Sequence, residues 1–180
     1  MKEIETKIVD IDERGLRASL KSRGALHEGI TKFRRYVFDM HPNKRADSYD
    51  EFVRIRTDGR NSTLTYKFRS GTGLANTEEV EVAVSDFGAA HDIVSKLWKG
   101  AKPYYQENTI DAWKYKGAEI SIVKWPGVRP YVEVEAKSER GVRRAIAEIG
   151  IKGTELGNTN LVRIFELSGM GGRDTGDLRF

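Results

Sequence analysis

Met1-Lys2-Glu3-Ile4-Glu5-Thr6-Lys7-Ile8-Val9 sets Glu3, Glu5 and Lys7 at every second position, with Ile4, Thr6 and Ile8 between them. In an extended strand, successive side chains point to opposite faces, so this stretch has one charged face and one that a core can bury. Alone, such a strand is most simply a solvated sheet face whose charges are satisfied by water. A functional surface requires the pattern to recur.

It recurs twice. Glu79-Val80-Glu81-Val82-Ala83-Val84 and Tyr131-Val132-Glu133-Val134-Glu135 again put carboxylates on one face and valines on the other. Each of the three strands is followed by a helical pattern and a glycine: Gly24, Gly100 and Gly150 lie 19, 19 and 15 residues after the second glutamate. The first helix opens at a capping box of Asp10 and Glu13 and carries Ile11, Leu16 and Leu20. The second, capped by Ser85 or Asp86, carries Phe87, Ala90, Ile93, Val94 and Leu97. The third starts near Ser138 and carries Val142, Ala145, Ile146 and Ile149, and the glycines are natural stops. Independent solvated strands have no reason to share that order.

Between these units lie basic strands. Phe52-Val53-Arg54-Ile55-Arg56 and Thr63-Leu64-Thr65-Tyr66-Lys67-Phe68 alternate strictly around Asp58-Gly59-Arg60-Asn61 and predict a hairpin with Arg54 and Arg56 on one face and Thr65 and Lys67 on one face. Residues 31–40, including Arg34, read as a strand of open register, broken at His41-Pro42-Asn43-Lys44. Tyr104-Tyr105, residues 110–115 and residues 118–125 add strands turned at Lys116-Gly117, and residues 126–130 form a turn-rich connection. Residues 158–167 read as a last short helix, and the glycine-rich tail, residues 168–180, as a disordered end or a flap over a site. His27, His41 and His91 fall in a loop, a turn and a helix and read as surface residues, which disfavours histidine chemistry.

The 180 residues suffice for one domain with a substantial core, and 38% hydrophobic with 32% charged residues describes a water-soluble chain. No apolar run approaches the roughly 18 residues of a membrane span, and the charged start is unlike an export signal, so a cytoplasmic protein without membrane contact is expected. The absence of cysteine excludes disulfides, thiolate metal sites and cysteine nucleophiles, leaving carboxylates as metal ligands. Although the net charge is +4, the 27 acidic residues are interleaved with the 31 basic ones. A small polyanion held at a local basic cluster fits this at least as well as a nucleic-acid groove, and no nucleic-acid partner is expected.

A flat, solvent-facing sheet with helices on its apolar face could carry such a charged face; a closed or nearly closed β-barrel of α+β class would use it better, converging Glu3, Glu5, Glu79, Glu81, Glu133 and Glu135 with Lys7, Arg54, Arg56 and Lys67 on one lumen. Carboxylates so gathered raise one another's pKa unless cations intervene. Hard oxygen ligands suit Mg²⁺ or Mn²⁺, and Mg²⁺ takes a few carboxylates together with phosphate oxygens. The arginines supply forked donors for those phosphates and the lysines point charges. No Walker sequence is present, and Gly71-Thr72-Gly73 is too short to stand for one.

Glu3-Ile4-Glu5-Thr6-Lys7 resembles the E-x-E-x-K signature of the CYTH superfamily of triphosphate tunnel metalloenzymes, which includes class IV adenylate cyclases and thiamine triphosphatase. The two basic strands and the two later Glu-x-Glu strands follow in the family's order, so the resemblance covers most of the chain, read as a single CYTH-like domain over residues 1–180. It implies an eight-stranded antiparallel tunnel that binds a triphosphate and one or two divalent cations. The six glutamates would serve the metal, Lys7, Arg34, Arg54, Arg56 and Lys67 the substrate, and Lys7, Arg56 and Lys67 catalysis. A homodimer is a further expectation.

Chain length and the Trp125-Pro126 to Glu133 stretch look closest to the class IV cyclase-like branch. The resemblance then implies attack of the ribose 3′-hydroxyl of ATP on the α-phosphorus. The alternatives are a triphosphatase acting on inorganic or organic triphosphate and a non-catalytic nucleotide or polyphosphate binder. Relatives of that branch carry an arginine where this chain has Ile110 and an aspartate where it has Val123. One positive and one negative charge are missing together, which predicts an apolar pair in place of a buried ion pair.

Overall fold

The computed structural model describes residues 2–41, 49–71, 73–75, 77–100, 102–170 and 177–180, apart from the side chains of Lys2, Glu3 and Tyr49. Pro42, Asn43, Lys44, Thr72 and the middle of the C-terminal tail, residues 171–176, therefore lie outside the described residues. In chain order the elements are β1 (Lys2–Glu3), β2 (Glu5–Val9), α1 (Glu13–Ser22), β3 (Leu26–Asp39), β4 (Tyr49–Thr57), β5 (Ser62–Ser70), β6 (Thr77–Val84), α2 (Phe87–Leu97), β7 (Tyr104–Tyr115), β8 (Ala118–Lys124), β9 (Tyr131–Ala136), α3 (Glu139–Ile149), β10 (Thr154–Gly157), α4 (Leu161–Leu167) and β11 (Asp177–Leu178).

The opening stretch is one strand broken in two at Ile4. Its β1 half pairs with β6, Lys2 opposite Glu78 and Glu3 opposite Thr77, while its β2 half pairs with β9, Glu5 opposite Glu135 and Lys7 opposite Glu133. At the break the Ile4 carbonyl accepts from Ala136 N–H, and Glu5 N–H donates to the Leu74 carbonyl. The sheet order β1-β6-β5-β4-β3-β7-β8-β9-β2-β10 thus starts on one half of the opening strand and returns to its other half before β10, which curls the antiparallel sheet into the expected nearly closed barrel. Counting that broken strand once, eight strands form the wall; β10 adds to β2, and β11 lies parallel to the start of β7.

Alternation sorts the side chains as the sequence requires. Outward residues Ile8, Trp113, Ile120, Ile122, Val132 and Val134 pack under α1 and α3, whose Leu16, Leu20, Val142, Ala145 and Ile149 complete the main core. A smaller cluster of Phe38, Ile55 and Ala90 lies under α2, and a third, with Val123, Trp125, Tyr131, Ile164 and Phe165, joins α4 to one end of the barrel. The expected hairpin forms with Phe52 opposite Lys67 and Arg56 opposite Thr63.

Several boundaries differ from expectation. Asp12, not Asp10, caps α1, its carboxylate accepting from Gly15 N–H at 3.0 Å; Asp10 sits at φ +57° and binds Arg129. Gly150 ends α3 in the left-handed conformation, but Gly100 does not end α2, which stops at Leu97 with Trp98 extended. Gly100 is instead a spacer: a β-carbon there would approach the Trp98 ring to 2.5 Å. His27 lies within β3, not a loop, stacked on Trp113 and bonded to Asp111. The strands expected at Tyr104 and at residues 110–115 are one, β7, and β10 precedes α4, whose first turn starts only at Leu161.

Candidate functional site

The barrel encloses a cavity of about 220 Å³ lined by Glu5, Lys7, Arg54, Arg56, Lys67 and Glu133, all expected at the site, together with Arg35, Arg69, Gln106, Asn108, Trp125 and Tyr131 among others. All but Trp125, which follows β8, come from the inward face of a strand. Glu79 and Glu81 stand beside lining cations, Glu79 at 3.3 Å from Lys67 and Glu81 at 3.7 Å from Arg54 and 3.9 Å from Arg56, with Thr65 Oγ1 donating to Glu81 at 2.7 Å. Glu135, two positions from Glu133, is half-buried and not among the lining residues. Glu3 is placed opposite Thr77 in β1, its side chain outside the described residues.

Arg34 is elsewhere. It is exposed on the outer face of β3, its guanidinium 5.4 Å from the Phe87 ring centre on α2. Its neighbour Arg35 faces the cavity: it is buried, donates to Asn108 Oδ1 and lies 4.7 Å over the Trp125 ring. A pair of arginines flanked on both sides by aromatic residues gives no alternation to choose between them, which is why sequence alone selects the one that faces outward. Arg69 carried a usable signal, since Thr65, Lys67 and Arg69 share the period of two along β5.

Cations dominate the centre. Burial, and then the charges of Arg54 and Arg56, push the Arg35 pKa well below its ordinary value; burial and Arg54 lower that of Arg56. Among the described residues, the buried Nε atoms of Arg35 and Arg54 have no hydrogen-bond partner. Unused donors on mutually repelling guanidiniums leave free energy to be recovered by an anion.

Glu5 is held charged by neighbouring cations. Burial alone would raise Glu5, but Lys7, Lys67 and Arg69 outweigh it and bring it to about 2. Lys7 Nζ lies 2.7 Å from Glu5 and 3.9 Å from Glu133. Trp125 Nε1–H donates to the Tyr131 hydroxyl at 3.2 Å, which donates to Glu133 at 3.3 Å; burial and the Glu133 charge keep that hydroxyl protonated. No group of three or more His, Asp or Glu converges as a metal site among the described residues. Glu5 and Glu133 both approach the Lys7 ammonium, and two hard carboxylates are a donor set that fits a cation also bound by phosphate.

Ile110 and Val123 face each other across β7 and β8 and both line the cavity. The apolar pair expected from the missing charges is therefore formed by direct cross-strand neighbours.

Solved structures similar in fold include a Pyrococcus horikoshii protein, 18% identical with a TM-score of 0.68 over 83% of this chain and 91% of that one. A Bacillus halodurans protein titled a putative adenylate cyclase is 15% identical, TM-score 0.61, over 91% and 96%. A putative adenylyl cyclase from Hippeastrum, titled as revealing a dominant triphosphatase activity, is 12% identical, TM-score 0.61, over 93% and 96%. No curated protein matches the sequence. The CYTH domain model matches residues 1–160, and with the Glu-x-Glu-x-Lys strand closing the curled sheet around these charges, the chain belongs to the CYTH domain family.

Proposed function

We propose that this protein is a metal-dependent enzyme that binds a nucleoside triphosphate or other triphosphate in the barrel and cleaves it. The observation that carries this reading is the convergence of Arg35, Arg54 and Arg56 on one enclosed cavity with two of their buried donors unused. Arg54, Arg56 and Lys67 would clamp phosphate oxygens and neutralise the charge that builds on them as a P–O bond breaks. A phosphate at Lys7 would compete with Glu5 and Glu133 for its ammonium. Those two carboxylates would then hold Mg²⁺ or Mn²⁺, with Glu3, Glu79, Glu81 and Glu135 as the remaining acidic candidates. When bound, the cation would supply further neutralisation of the phosphate chain.

Two cleavages use this arrangement. Attack of a ribose 3′-hydroxyl on the α-phosphorus of ATP gives cyclic AMP and pyrophosphate, the class IV cyclase reaction, and the similarity to the Bacillus halodurans protein supports it. Attack of water on the terminal phosphorus gives orthophosphate, and the Hippeastrum title supports that. Incubating the protein with ATP or tripolyphosphate and Mg²⁺ or Mn²⁺ and resolving the products separates them. Cyclic AMP with pyrophosphate indicates the cyclase and orthophosphate the triphosphatase. Saturable binding without turnover would refute the enzymatic reading and leave a binder.

A further inference from the structure

We infer that the open edge of β6 is a docking strand for a second copy of this chain, joined two-fold and antiparallel with Val82 on the axis. β6 pairs with β5 along its whole length, Thr77 to Val84, but on its other side β1 reaches only Thr77 and Glu78. Among the described residues, Val80 to Val84 therefore have no strand on that side, and residues 80–83 are exposed. Such a row of backbone N–H and C=O groups is a template for another strand, with main-chain hydrogen bonds supplying the pairing.

The outer face beside that edge is apolar and uncovered. Val80 and Val82 are 63% and 53% exposed, and Tyr66, opposite Val80 on β5, is 39% exposed. The adjoining helix extends this face. On α2, His91 packs on Tyr36 and Phe38 of β3, and at about 100° per residue Ile93 and Leu97 turn to the opposite flank, the one toward β5 and β6. They are 60% and 75% exposed. The apolar surface thus runs from α2 to the strand edge.

The carboxylates decide what that edge can pair with. Glu79 and Glu81 alternate with the valines, and like charges directly opposite each other destabilise a sheet. A two-fold axis perpendicular to the sheet keeps outer face beside outer face, so it pairs only residues of like parity. Centred on Glu81, the pairing sets that carboxylate against its own copy; centred on Val80, it sets Glu79 against Glu81. Centred on Ala83, it sets Val80 against Asp86, the cap of α2. Centred on Val82, it sets Val80 against Val84 and Glu81 against Ala83, so valines meet valines and no carboxylate of residues 79–84 faces another. In that register the strand is complementary to itself, which singles out a second copy as the occupant. The surface lies outside the barrel cavity and does not depend on the triphosphate reading.

Sedimentation velocity across a concentration series is expected to show the 20.4 kDa monomer passing to a species of twice that mass. Val82→Lys sets two like charges on the axis and is expected to raise the dissociation constant about tenfold while melting like the native protein. The chain has no cysteine, so single substitutions report the register. Under mild oxidation the Val82→Cys protein should form a disulfide-linked dimer, whereas Val80→Cys places its two thiols about 13 Å apart along the strands, too far to bridge. A monomer at every concentration, or assembly that grows beyond two chains, overturns the inference. A dimer that the folded Val82→Lys variant retains at native strength overturns its location, and cross-linking at position 80, or at neither position, overturns its register.

Discussion

Arg35, Arg54 and Arg56 repel one another in a buried space, and this opposition between stability and binding has a measurable sign. Replacing Arg56 with alanine removes one member of the repelling set, so thermal stability should hold or rise. Triphosphate affinity should fall about 10- to 100-fold, the value of a lost charge-assisted hydrogen bond. A melting scan beside a titration checks both, and a lower melting temperature with unchanged affinity would contradict the clamp. Glu5 gives a second test. Its folded pKa of about 2 lies below the ordinary 4.5, so its contribution is present above pH 4.5 and is lost as pH falls toward 2. That contribution is on the order of 3 kcal/mol. Unfolding free energy measured between those pH values should drop in the native protein and vary less in Glu5→Gln; parallel curves would contradict the assignment.

At the scale of elements, strands with strict alternation were legible and those without it were not. The basic hairpin and the Glu79 and Glu133 strands formed where the sequence put them, because charged and apolar residues alternate along them. β3 failed as a guide to register because charged and aromatic residues are adjacent at Phe33-Arg34-Arg35-Tyr36, and Arg35 was missed for that reason. Thr154–Gly157 and Asp177–Leu178 are short and lack a pattern; they are strands only because β2 and β7 offer edges. Leu178 is nonetheless buried against Val123 and Trp125, so Leu178→Ala should cost about 2 kcal/mol or more in denaturant unfolding. No change would mean that β11 contributes no packing. The Ile110 and Val123 pair can be tested by a cycle. Val123→Asp alone should destabilise by about 3 kcal/mol, and adding Ile110→Arg opposite it should restore at least about 1 kcal/mol. Strict additivity in urea unfolding would show that the two positions do not interact.

For the whole molecule, the opening stretch does the work of closure: β1 joins β6, β2 joins β9, and Glu5 and Lys7 line the cavity. The recurrence of Glu-x-Glu strands made the barrel readable because only a converging surface gives three separated strands the same polarity. Which cations meet which carboxylates was less readable, since strand order places β2 beside β9 through contacts distant in sequence. The central claim is that this barrel is a built anion site for a triphosphate. Titrating tripolyphosphate into the native protein and into an Arg54→Ala, Arg56→Ala double variant, both with Mg²⁺, tests it most directly. Saturable one-to-one binding to the native protein, lost in a variant that still unfolds cooperatively, is the expected result; no binding to the native protein, or equal binding to both, would contradict it.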